Sequence, residues 1–202
     1  MEKIEQLEYG NYYHIFNRGI DGCNLFAEAE NYEYFLGLYD KYISPIADTF
    51  AWVLMPNHFH FSVKIKEKEE VTLNLSGLEE EKKLKPLHQY FSNLFNAYTK
   101  AVNKRYFRHG ALFERPFKRK LIENGFYLKQ VVLYIHNNPV HHGFKEHPSE
   151  YPWSSYMTCI SVKPTKLRRE RVIGWFDNEA NFKTKHNQKI DIEKIEHWLE
   201  IN

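Results

Sequence analysis

The feature that most constrains this chain is an apolar run from Thr49 to Met55 that meets Pro56-Asn57 and resumes as His58 to Ile65. Seven apolar, partly β-branched and aromatic residues bounded by a turn are too few for a buried helix and suit a buried strand. Pro56-Asn57 reads as the turn. The two segments then form a hairpin at the centre of a sheet, and the rest of the chain must supply its partners and its cover.

Tyr12 to Arg18 is rich in β-formers, stops at Gly19 and reads as the first strand. Glu30 to Ile46 has helical spacing, with Tyr34, Phe35, Leu38, Tyr42 and Ile46 near one face and Pro45 marking the end. Leu87 to Tyr106 is strongly amphipathic, with Tyr90, Phe91, Leu94, Phe95, Tyr98 and Val102 as its stripe. Ala111 to Ile122 reads as a strand bent near Pro116. Phe126 to His136 reads as a helix stopped by Asn137-Asn138-Pro139, and Ile190 to Ile201 as a terminal helix. Pro148 to Tyr156 is a loop with large rings, and no internal repeat is present. The order β, α, β-β, α, β, α predicts an α+β fold, a ferredoxin-like or RRM-like central antiparallel sheet with helices packed on it. The expected organisation is one domain over residues 1–160, with a Lys- and Glu-rich exposed insertion at residues 66–86. An extension over residues 161–202 follows.

Net charge is only +2 and identifies no partner, but its distribution is uneven. Between Pro86 and Gly125 eight basic residues stand against two acidic ones, which leaves the remainder net acidic. A basic face for an anionic partner is expected. Aromatics make up 16% of the chain, and some of these rings could stack on a nucleobase, although most will simply pack inside. The two cysteines, Cys23 and Cys159, have neither metal-ligand nor redox spacing. The N-terminal ten residues lack a signal-peptide apolar core, and no apolar run approaches the roughly 20 residues of a membrane helix. A cytoplasmic protein without a membrane partner is expected.

Two groups of residues carry chemistry. In His58-Phe59-His60, strand alternation puts both imidazoles on one face, about 7 Å apart along the backbone. They either converge on one divalent ion or are two hydrogen-bonded polar residues at a strand end, and the pair alone lacks a third ligand. In Tyr134-Ile135-His136-Asn137-Asn138, Tyr134 and Asn138 are four apart and share a helix face. Asn138 offers an amide oxygen suited to Mg²⁺ or Mn²⁺. Tyr134 offers a phenol that a nearby cation would activate as a nucleophile, or else a ring that packs in the core.

Five stretches together resemble one family. These are Tyr13-His14-Ile15-Phe16-Asn17-Arg18-Gly19, Leu54-Met55-Pro56-Asn57-His58-Phe59-His60, Gly110-Ala111-Leu112-Phe113-Glu114-Arg115-Pro116-Phe117, Tyr134-Ile135-His136-Asn137-Asn138-Pro139-Val140 and Tyr151-Pro152-Trp153-Ser154-Ser155-Tyr156. Their order and spacing resemble the insertion-sequence-type single-tyrosine transposases of the His-hydrophobe-His superfamily, and the last motif resembles the REP-associated branch. The resemblance spans Tyr12 to Tyr156. It implies a divalent metal, Mg²⁺ or Mn²⁺, held by His58, His60 and Asn138. The insertion-sequence branch has a glutamine where Asn138 stands. It also implies Tyr134 as the nucleophile that cuts single-stranded, hairpin-associated DNA through a 5′-phosphotyrosine link, and a 3′-OH that rejoins it. Arg18, Arg115, Lys118, Arg119 and Lys120 are the expected phosphate contacts. A monomer with its site in cis is expected from the REP-associated branch, and a homodimer with its site in trans from the insertion-sequence branch. The competing readings are a noncatalytic nucleic-acid-binding module on a related sheet and a metal-dependent hydrolase in which Tyr134 is structural.

Overall fold

The hairpin forms where the apolar run and its turn require. In the computed structural model, which describes residues 4–76, 84–188 and 190–199, β1 (Tyr12–Arg18) precedes α1 (Ala29–Tyr42), β2 (Ala47–Met55) and β3 (His58–Ile65). Then come α2 (Lys68–Leu75), α3 (Leu87–Arg105), β4 (Lys118–Ile122) and α4 (Gly125–His141). The last elements are α5 (Tyr156–Cys159), α6 (Arg169–Trp175), α7 (Glu179–His186) and α8 (Ile192–Leu199). The strands make one four-stranded sheet in the order β2-β3-β1-β4, with every pair antiparallel. β1 and β2 are therefore parallel, separated by β3 and joined through α1, which is the split-βαβ arrangement of the expected α+β, ferredoxin-like class.

Alternation along the strands sorts the side chains into two layers. Tyr13, Ile15, Phe59, Phe61, Val63 and Ile65 face α1 and α3 and form one core with them. The stripe of α3 is buried from Leu87 to Val102 as its spacing predicts. Each large apolar side chain buried there contributes about 1.5–3 kcal/mol. That outweighs the missing side-chain cap at Pro86, a loss of about 1 kcal/mol. The other sheet face carries His14, Phe16, His58 and His60. Beyond them Phe50, Val53 and Met55 form a second core with α4 and the C-terminal helices.

Five segments differ from expectation, each for a local reason. α1 ends at Tyr42 instead of Ile46, because Pro45 has no N–H to continue the ladder and Ile46 N–H bonds the Ile43 carbonyl (2.9 Å). Its buried apolar positions are Tyr32, Phe35 and Tyr39, while Tyr34 is 48% exposed. Of the strand expected from Ala111, only Lys118–Ile122 pairs with β1. Leu112 and Phe113 are buried in succession, which a one-sided strand cannot do, and a single bridge joins Gly19 to Phe113. Residues 66–86 are not all an exposed insertion: Val71 and Leu75, one turn apart on α2, are buried in the first core. Residues 77–83 of that insertion lie outside the described residues.

α4 does not stop before Asn137 but runs through Pro139 to His141. Its N-terminus is capped by Asn124, whose Oδ1 accepts from Tyr127 N–H (3.1 Å). Pro139 stands only two residues from the end, so its missing donor disturbs the last turn alone, while every residue from Val131 to Pro139 is buried. The continuation keeps Asn138 in helical register with Tyr134. After Cys159, α6, α7 and α8 pack Val172, Phe182, Ile195 and Leu199 into the second core; only α8 was legible beforehand, and its expected end at Ile201 lies outside the described residues. Residues 151–156 cover the outer edge of β2, where Leu54 N–H donates to the Trp153 carbonyl and Ser155 N–H to the Trp52 carbonyl (both 2.9 Å). Among the described residues no helix is long and apolar enough to cross a membrane.

Candidate functional site

β3 begins with His58 and His60 on the face opposite the Phe59 core, in register with Arg18 and Phe16 of β1. α4 crosses this face and lays its Tyr134–Asn138 side against it. His58 Nε2 lies 2.9 Å from Asn138 Oδ1, and His58 Nδ1 lies 2.8 Å from Asn57 Oδ1. The Tyr134 ring stands edge-on to His60, with centroids 5.2 Å apart. His60 Nδ1 contacts Nε2 of His14, a fully buried residue of β1, at 3.0 Å. The structure thus brings His58, His60, Asn138 and Tyr134 together, although 80 residues separate His58 from Asn138.

The donor set fits a divalent cation. Each ring nitrogen of His58 faces an amide oxygen, Asn57 Oδ1 at Nδ1 and Asn138 Oδ1 at Nε2, and a neutral imidazole carries one proton, so one of the two contacts sets a bare lone pair against an acceptor. With the proton on Nδ1, the Nε2 lone pair faces Asn138 Oδ1, and Asn138 Nδ2, buried, has no partner. Two acceptors in opposition are costly unless a cation lies between them. Burial holds the rings neutral, as ligands must be. It lowers His58 to about 4, against the opposing effect of the Asn138 contact, with His142 and Arg18 adding to the depression. It lowers His60 well below the ordinary histidine range, with His14, His58 and His142 adding to it.

The phenol is held in its neutral form. Burial pushes Tyr134 above the ordinary range of a phenol, and Glu196 of α8 adds to this through its charge and by accepting the hydroxyl proton at 3.3 Å. A cavity of about 500 Å³ opens beside these groups and is lined by Arg18, His58, His60, Lys118, Tyr134 and Glu196, among others. His142, its ring 5.1 Å from that of His58, also lines it. His14, His142 and Glu196 escaped sequence reasoning. His14 shares the alternation of Phe16 and Arg18, which is the one signal that could have placed it on the site face.

The five expected phosphate contacts are not in one place. Lys118 and Lys120 lie on the site face of β4, in register with Phe16 and His14, whereas Arg119 alternates to the opposite face and lies over the Phe117 ring at 4.5 Å. Arg18 pairs with Glu114 (2.6 Å) at the rim of the cavity. Arg115, exposed, reaches Asn96 Oδ1 at 3.4 Å on the α3 side.

The fold so built is shared with a solved structure. A solved REP-associated tyrosine transposase, bound to a REP hairpin, is similar to this chain, with a TM-score of 0.62 over 81% of this chain and 89% of that one. Identity across the match is 17%, so the likeness is one of fold. No protein-family model matches the chain, and no curated protein sequence matches it.

Proposed function

We propose that this protein is a transposase-type endonuclease and strand transferase that cuts and rejoins single-stranded, hairpin-associated DNA through Tyr134. The observation that carries the reading is the contact of His58 Nε2 with Asn138 Oδ1 at 2.9 Å, with Tyr134 one helical turn earlier and edge-on to His60. His58, His60 and Asn138 would hold Mg²⁺ or Mn²⁺, which when bound neutralises charge on the scissile phosphate. Tyr134 Oη forms a bond to phosphorus as the bond from phosphorus to the 3′ oxygen breaks, and overall a proton passes from the phenol to that oxygen. A 3′-OH then attacks the 5′-phosphotyrosine, restoring the phenol and joining DNA without another energy source. Arg18 and Lys118 at the cavity rim would position the cut strand. Arg115, Arg119 and Lys120, away from the cavity lining, would serve the flanking hairpin. In this reading residues 1–160 carry the nuclease, and residues 161–202 are an extension whose last helix sets Glu196 against Tyr134. The protein acts as a monomer, since helix and histidines meet within one chain.

The experiment is incubation of the full chain with a labelled single-stranded hairpin oligonucleotide and Mn²⁺, followed by a denaturing gel. A protein-linked DNA band that requires Tyr134 is expected. Cutting without any adduct would instead establish the hydrolase reading, which draws on the burial and neutrality of the phenol. A noncatalytic module that stacks bases on an open sheet has less support, because both faces of this sheet carry helices.

A further inference from the structure

His14 has no part in the reaction just described, yet among the described residues it is the side chain in hydrogen-bond contact with His60. It is fully buried, parallel-stacked on His60 with ring centroids 5.0 Å apart, and it lies behind the cavity rather than in its lining. Its Nε2 lies 3.0 Å from His60 Nδ1, while its Nδ1 is buried without any hydrogen-bond partner. Leaving a buried ring nitrogen unpaired is costly. A phenylalanine would fill the same space at no such cost, as its neighbour Phe16 does against the same ring. The polar ring therefore needs a reason.

Two buried imidazoles are neutral and carry one proton each. Their contact through Nε2 and Nδ1 needs one proton between them, so only two arrangements exist. If His14 donates, the proton of His60 stands on Nε2, and the edge of His60 away from His14 is blocked. If His60 donates, its Nε2 is a bare lone pair, and His14 carries its own proton on the unpaired Nδ1. His58 meets an amide oxygen at each ring nitrogen, Asn57 Oδ1 and Asn138 Oδ1. Metal-bound histidines as a rule donate their second ring N–H to a fixed acceptor.

Resting on the cation reading of the site, we propose that His14 is a positioning residue: it accepts the Nδ1 proton of His60 and so leaves His60 Nε2 bare for a divalent cation. No other acceptor for that proton is present among the described residues. Divalent-cation binding selects the second arrangement, and the unpaired Nδ1–H of His14 is the cost of holding it.

The test compares the parent with His14→Phe, His14→Gln and His60→Ala, each as the full chain with folding checked by circular dichroism and thermal melting. Free Mn²⁺ is measured by electron paramagnetic resonance. Phe fills the space but cannot accept, and Mn²⁺ affinity falls about 10–100-fold. Gln offers an amide oxygen to the His60 Nδ1–H, and affinity stays within a few-fold of the parent. If His60→Ala binds Mn²⁺ like the parent, the cation reading of the site fails, and this proposal with it. If His60→Ala is weak while His14→Phe binds like the parent, or His14→Gln falls as far as Phe, the site stands and the role of His14 is overturned. Nitrogen-15 imidazole spectra of the parent with saturating Mg²⁺ keep the question open to decision where the Phe variant does not fold. A His60 protonated on Nδ1 is expected, and one protonated on Nε2 overturns the proposal.

Discussion

Replacing Glu196 by Gln removes one negative charge 3.3 Å from the Tyr134 hydroxyl and keeps the length of the side chain. Cleavage through Tyr134 requires the phenol to give up its proton, and the phenolate would then face that carboxylate. Two unit charges at this separation repel by about 5 kcal/mol at an effective dielectric constant of about 20, and by about 1 kcal/mol in bulk water. The Glu196 side chain is 27% exposed, so solvent screens the pair and the effect lies between these limits. Even the lower limit is close to the 1.4 kcal/mol that separates tenfold populations. The variant should therefore form adduct about tenfold faster, or more, at pH 7, with its rate profile displaced to lower pH. The assay is single-turnover adduct formation on a saturating hairpin oligonucleotide in Mn²⁺ between pH 6 and pH 9. A rate below that of the parent would refute the reasoning, since it would make Glu196 the group that takes the proton. An unchanged rate would show that the contact is broken before DNA reacts.

Tyr134→Phe removes one hydroxyl and keeps the ring, so stability should change by no more than about 1.5 kcal/mol. Adduct should vanish while hairpin affinity, measured by gel shift, stays at the parent value; continued cutting near the parent rate would exclude Tyr134 as the nucleophile. His60→Ala should also stop cleavage, but excess Mn²⁺ should recover part of it, whereas no Mn²⁺ concentration recovers the Phe variant. Burial depresses His14 to about 3, and His58 and His186 each to about 4, so these rings are neutral in the fold and protonate near pH 6.5 only when unfolded. The unfolded chain then binds more protons between about pH 6.5 and pH 4, and stability is full above that window and falls through it. Urea midpoints should decline from pH 7 to pH 5, and a flat profile would show that these rings are solvated. Light scattering at micromolar concentration should give a monomer, and a stable dimer burying well over about 1,200 Å² would count against a site built in cis.

Most of the fold was legible because its strands and long helices are periodic and their turns are marked. The hairpin from Thr49 to Ile65 and the stripe of α3 follow from spacing alone. The errors fall where tertiary burial overrides a local signal. Pro139 reads as a stop, yet α4 continues because its whole length from Val131 is buried. Val71 and Leu75 are two apolar residues in a charged run, and only the core beneath them shows that they anchor a helix. α6 and α7 are short, and the charged and polar residues of α7 give its sequence no dominant face, so Phe182 and His186 declare their role only by docking.

The site divides along the same line. The shared side of His58 and His60 follows from strand alternation, and that of Tyr134 and Asn138 from helical register, because each pair lies within a single element. What the sequence cannot express is how such elements meet. Register between β1 and β3 turns an ordinary strand residue, His14, into the neighbour of His60 across 46 residues of chain. In α8 the buried positions are Ile195 and Leu199, so the spacing shows that Glu196 borders an apolar face. It does not show what that face covers. Only the docking of α8 on α4 sets a carboxylate against the Tyr134 phenol, and that contact favours the neutral phenol where cleavage through Tyr134 requires phenolate. Under the proposed function, separating α8 from α4 would relieve the phenol of that charge, and the separation must also undo the stacking of Trp198 on Tyr127 and the burial of Ile195 and Leu199.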